Sequence, residues 1–203
     1  MVVGLVALAG CVACQAHRRD YDSMTPEQRT VHLEASIDIE APLPIVAKFM
    51  ADPCNEFLWQ PWLREAVMTP PSDGAGTRRY YVNRFAGKDI VNEYVTVTFD
   101  DTGLTYETTA AADVQATGGT SFRSLAQSNT RVTLSFDPQA LGFYWYMSDQ
   151  QTTRVYRRSL AARLEDLKKS IEAGNYEMQL RDEGVTRQVS EASITCRKSK
   201  TSR

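Results

Sequence analysis

Cysteine and histidine, the residues that most often serve as nucleophile, base or metal ligand, are scarce in this chain. Its 203 residues include two histidines, His17 and His32, and four cysteines, Cys11, Cys14, Cys54 and Cys196. Cys11 and Cys14 form a C-x-x-C pair. A zinc ribbon would need a second such pair, and Cys54 and Cys196 stand alone. A thioredoxin-like site would need the pair to follow a strand in a βαβ unit, which the surrounding pattern does not offer. The pair therefore reads as small apolar residues in an apolar segment, and neither a metal nor a cofactor is expected. His32 alternates with the apolar face of its strand and should meet solvent, so a serine or cysteine triad has no base. Gly74-Ala75-Gly76 and Gly118-Gly119 lack the spacing and the strand-to-helix context of a phosphate loop.

Acid–base chemistry could instead rest on a carboxylate and a tyrosine. Over residues 90–99 the apolar Val91, Val95, Val97 and Phe99 share one face with Glu93. A carboxylate there must pair, take a raised pKa or contact a ligand. The plainer alternative is water at the sheet rim or an arginine partner. In the preceding segment Tyr81, Asn83 and Phe85 share one face, and Tyr80 and Val82 the other, so either tyrosine is a candidate. Phe143-Tyr144-Trp145-Tyr146 sets four aromatics in a row. Such a loop, with Phe143 and Trp145, can close one end of a cavity that is apolar inside and wet outside, or can simply plug the sheet. Trp59 and Trp62 are expected in the core.

These residues need a scaffold, and the hydrophobic periods supply one. Leu33, Ala35, Ile37 and Ile39 alternate with polar residues, as a half-buried strand does. Pro42 and Pro44 suit the first turn of a short helix over 43–50. Asp52-Pro53 ends it, because the residue before proline disfavours the helical region. Another short turn is expected within 55–62. Strands are then predicted at 63–68, 77–85, 90–99, 104–111, 119–125 and 131–136, rich in β-branched and aromatic residues and separated by Asp, Asn, Gly and Pro breaks. Ser148-Asp149-Gln150-Gln151 has the form of a capping box. After it, Tyr156, Leu160, Leu164, Leu167 and Ile171 recur at spacings of three and four and fall on one helical face, with Gly174 as the stop. That helix spans roughly 39 Å at 1.5 Å per residue, enough to cross a whole sheet.

This order of elements, and several short motifs within it, resemble a known superfamily. Residues 32–52, HLEASIDIEAPLPIVAKFMAD, resemble the opening of polyketide cyclase/dehydrase and START-like (SRPBCC) domains: a strand, an Ala-Pro helix start, an Asp-Pro break. Trp59-Gln60-Pro61-Trp62, Gly76-Thr77-Arg78 and Asn129-Thr130-Arg131-Val132-Thr133 match further family features, over roughly residues 31–173. The resemblance implies an α+β helix-grip fold. A curved antiparallel sheet would wrap around the long C-terminal helix, with two short helices after the first strand. It also implies a cavity for a hydrophobic small molecule, such as a lipid, an isoprenoid or a polyketide-like ring compound. The residues expected in its wall are Tyr81 (with Tyr80 the alternative on that strand), Glu93, Tyr106, Phe122, Leu134, Tyr156 and Leu160. Two alternatives stand beside simple binding. One is a cyclase or aromatase in which Glu93 and a tyrosine transfer protons. The other is a membrane-tethered lipid-transfer or partner protein.

Bulk properties set the remaining bounds. The formal net charge of −2, with no basic stripe interleaved with aromatics, argues against nucleic acid as a partner. Three stretches are expected: an apolar segment and linker over 1–30, the domain over 31–174, and a disordered polar tail over 175–203. Residues 2–16 are apolar, Leu8-Ala9-Gly10-Cys11 matches a lipobox, and Arg18-Arg19 follows. The run is short for a span, and only Met1-Val2-Val3 precedes it as a leader. A cytoplasmic location, loosely membrane-associated through residues 2–16, is expected. The alternative is an exported lipoprotein acylated at Cys11.

Overall fold

The computed structural model describes residues 23–70, 74–85, 87–139 and 149–199. A short helix α1 (Pro26–Arg29) leads into β1 (Leu33–Ile39), α2 (Leu43–Ala51) and a 3-10 turn (Pro53–Leu58). Then come β2 (Leu63–Thr69), β3 (Arg78–Phe85), β4 (Lys88–Asp100), β5 (Gly103–Thr108), β6 (Ala116–Ala126) and β7 (Asn129–Pro138). The long helix α3 (Asp149–Ala173), α4 (Tyr176–Asp182), β8 (Val185–Val189) and β9 (Ile194–Lys198) complete the chain. The nine described strands form one antiparallel sheet, ordered β1-β7-β6-β5-β4-β3-β2-β9-β8. It curves around α3, as the helix-grip arrangement requires.

The alternation in β1 has its expected consequence. Leu33 and Ile39 are buried, and β1 pairs with β7 through Leu33↔Phe136 and Ile37↔Val132. α2 opens on prolines and stops at Asp52, held extended by Pro53. The Asp52 carboxylate then accepts from the Cys54 amide at 3.0 Å and starts the 3-10 turn. On α3, Leu160, Leu164, Leu167 and Ile171 are all buried. They form one cluster with Leu33, Ile39, Val46, Phe49, Val132 and Leu134, with Tyr156 packed at its margin. Polar fasteners fix the register of the helix. Lys168 Nζ donates to the Asp38 carbonyl at 2.8 Å, Glu172 Oε1 accepts from the Glu40 amide at 2.8 Å, and Ser170 Oγ donates to the Leu58 carbonyl at 3.2 Å. Gly174 ends the helix in the left-handed region, φ 62°.

Three expectations are overturned. Within the stretch expected to be a disordered tail, α4 and the β8–β9 hairpin occupy 176–198, and β9 pairs with β2 through Ala66↔Cys196 and Met68↔Ile194. Cys54 and Cys196 do not stand alone; they form a disulfide with Cα atoms 5.4 Å apart. Around them Phe57, Leu63, Ala66, Met68, Tyr81, Leu180 and Ile194 make a second buried cluster, so the tail completes a core. Arg187 to Asp52 at 2.6 Å and Arg197 to Glu65 at 2.7 Å add ion pairs to the same seam. Trp62 is not core: it is 48% exposed at the cavity rim, while Trp59 is buried.

The apolar segment 2–16, His17, the C-x-x-C pair, the lipobox, the Ser148 cap, and the aromatic loop with Phe143 and Trp145 lie outside the described residues. Among the described residues no helix is long and apolar enough to cross a membrane.

Candidate functional site

Between α3 and the concave face of the sheet lies a cavity of about 390 Å³. That is within the usual size of a small-molecule site. One part of its wall is apolar: Leu104 from β5, Phe122 from β6, Leu134 and Phe136 from β7, and Tyr156 and Leu160 from α3. Tyr81, Tyr94 and Tyr106 from β3, β4 and β5 make an aromatic ladder, with ring centroids 5.7 Å apart for the first pair and 4.9 Å for the second. Burial raises the pKa of all three hydroxyls, that of Tyr94 to about 12. They therefore stay protonated at any physiological pH.

The other part is a polar pole assembled from three elements. Glu56 comes from the 3-10 turn, Arg79 and Tyr81 from β3, and Arg163 from α3. Tyr81 donates its hydroxyl proton to Glu56 Oε1 at 3.4 Å, and Arg79 Nη1 stands 3.9 Å from the same oxygen. Gln60 Nε2 donates to Glu56 Oε2, and its Oε1 accepts from Arg163 Nη2 at 2.6 Å. Arg79 Nη2 also donates to the Ala51 carbonyl at 3.2 Å, and Arg163 lies 5.2 Å over the Trp59 ring. Burial pushes the Glu56 carboxyl above its usual range, against the opposing pull of Arg79 and Arg163. Among the described residues no cluster of histidine, cysteine and carboxylate side chains is arranged to hold a metal ion.

Of the residues anticipated for the wall, Tyr81, Tyr106, Phe122, Leu134, Tyr156 and Leu160 line this cavity. Glu93 does not. The cavity face of β4 is Ile90, Asn92, Tyr94 and Thr96, so the valine face with Glu93 looks outward. There Glu93 pairs with Arg78 at 3.2 Å and accepts from the Thr109 hydroxyl at 2.8 Å. The reason is that the lumen side of this strand carries polar-tipped groups, while apolar β-branched residues are tolerated outside. Val97 and Phe99 are 50% and 46% exposed. Glu56, Arg79 and Arg163 are absent from the sequence-derived wall. One signal points to Arg163: it follows Leu160 by three residues and Tyr156 by seven, a charge set on the apolar stripe.

No family profile and no curated protein matches the chain. Solved structures do match its fold. TTHA0849 from Thermus thermophilus aligns at a TM-score of 0.59 with 17% identity, covering 71% of this chain and 99% of that one. The ZhuI aromatase/cyclase from Streptomyces sp. R1128 aligns at 0.56 with 18% identity, covering 70% and 94%. A START superfamily protein from Mycobacterium smegmatis aligns at 0.58 with 10% identity, covering 70% and 97%. The chain thus shares the helix-grip fold of these three structures.

Proposed function

We propose that this protein binds a hydrophobic small molecule, such as a lipid, an isoprenoid or a polyketide-like compound, between α3 and the sheet. The observation that carries this reading is the cavity of about 390 Å³ with its apolar wall and charged polar pole. Sites for small molecules have that composition. Tyr81, Tyr106, Phe122, Leu134, Tyr156 and Leu160 contact the ligand in this reading. The test is uptake of an environment-sensitive apolar dye by the native protein at micromolar concentration, with competition by fatty alcohols or polycyclic aromatics. Absence of both dye uptake and competition would mean that side chains fill the space.

A second reading is favoured by the Tyr81 hydroxyl bonded to a buried Glu56 inside the cavity. A cyclase or aromatase acting on such a ligand would use that pair for proton transfer, with the wall fixing the ligand's conformation. In that case Glu56→Gln removes turnover and leaves ligand affinity within about tenfold. Turnover that survives the substitution excludes Glu56 as the acid or base.

A further inference from the structure

The charged side chains among the described lining residues are Arg79, Arg163 and Glu56. Glu56 is heavily shared. It accepts from Gln60 and Tyr81 and faces Arg79. Arg163 reaches the pole from the opposite wall, and Gln60, not a carboxylate, takes its Nη2 proton. Its Nε is buried and has no hydrogen-bond partner among the described residues. Buried donors in native proteins are almost always partnered, so an orphan at a cavity wall marks a place where a ligand acceptor fits. Charge tells the same story. Two guanidinium groups face one carboxyl group, so the pole is net positive whether or not Glu56 is ionised.

We infer that the ligand is an amphipathic carboxylic acid, with its carboxylate accepting from Arg163 Nε and its apolar tail running past Tyr94 and Tyr106 toward Leu104 and Phe122. The inference rests on the ligand-binding reading above and adds a head-group class to it. An arginine N–H to a carboxylate is a charge-assisted bond with directional geometry. The one unpartnered N–H offers a single donor, which one carboxylate oxygen can meet. Trp59 beneath the guanidinium shields the bond from water and holds the side chain in place.

The experiment is displacement of a cavity-bound apolar dye by dodecanoic acid, methyl dodecanoate and 1-dodecanol at about pH 8, where a carboxylic acid is ionised. The acid should displace the dye at least tenfold more tightly than the ester or the alcohol. Arg163→Met should bring the acid to within about twofold of the ester, with near-ultraviolet circular dichroism confirming the fold. If that variant does not fold, the wild-type comparison decides alone. An acid no tighter than its ester overturns the inference while the cavity reading stands. An equal loss for all three probes in Arg163→Met also overturns it, because the residue would then only shape the wall. No displacement by any of the three removes both readings.

Discussion

Tyr106 lies across Gly118, its direct partner on the neighbouring strand. A β-carbon at Gly118 would meet the tyrosine hydroxyl at 2.5 Å and the Ser135 carbonyl oxygen at 2.6 Å. The cavity wall at this point depends on the missing side chain. Because Tyr106 stacks edge-on against Tyr94, a displaced Tyr106 disturbs the rest of the ladder.

Gly118→Ala should therefore cost about 1–3 kcal/mol, as overpacking does. It should also reduce dye capacity. Urea unfolding and dye titration measure the two effects, and a variant matching the parent in both would show that the ring moves aside freely.

Leu164→Ala should cost about 2–5 kcal/mol, because the side chain is buried in the centre of the α3 stripe. A loss under about 0.5 kcal/mol in denaturant unfolding would mean that this face of α3 is not core.

The disulfide closes a loop of 142 residues in sequence separation. Reduction, or Cys54→Ser, should lower stability by about 2–5 kcal/mol on the loop-closure account. The test is the denaturation midpoint with and without reductant. The Cys54→Ser protein should be insensitive to reductant; equal sensitivity would exclude this bond as the cause.

Such a bond is a mark of oxidising compartments, since cytosolic thiols are kept reduced. Thiol trapping in intact source cells should find Cys54 and Cys196 blocked from alkylation until reductant is added. Both cysteines reacting directly would place the protein in a reducing compartment.

Glu56 supplies a pH dependence with a definite sign. Burial raises its carboxyl above the usual 4.5, so the folded protein holds that proton more tightly than the unfolded chain does. Its contribution to stability is complete below 4.5 and declines as pH rises toward the folded value. Arg79 and Tyr81 from β3 and Arg163 from α3 face it, and they moderate the effect without reversing it. Glu56→Gln should be flatter than the parent, gaining on it as pH rises from about 4.5. Parallel stability curves for the two proteins would show that the group titrates normally.

The fold is legible in the sequence wherever an apolar face meets a packed neighbour. The alternation of β1 and the stripe on α3 are of that kind, since their period follows directly from burial. β4 breaks the rule. Its inward residues Asn92, Tyr94 and Thr96 border a cavity that tolerates polar tips, and its valines look outward. The polar pole is illegible for another reason. Tyr81 and Glu56 are 25 residues apart, and Gln60 and Arg163 are 103 apart, so no local spacing joins them. The last hairpin has strands of five residues, mostly exposed on β8, and too few apolar positions to show a period. Its anchor is a cysteine whose partner only tertiary proximity reveals.

β9 sits inside the sheet between β2 and β8, yet it is the last in sequence of the described strands. Glu65 on β2 and Arg197 on β9 are 132 residues apart. At about 5–20 residues per second, roughly 7–26 seconds of synthesis separate them. Throughout that interval the outer edge of β2 has unpaired amide and carbonyl groups beside the half-built cluster of Phe57, Leu63 and Met68. An open edge of that kind invites pairing with other chains. Slow decoding of the codons after Gly174 would lengthen that exposure.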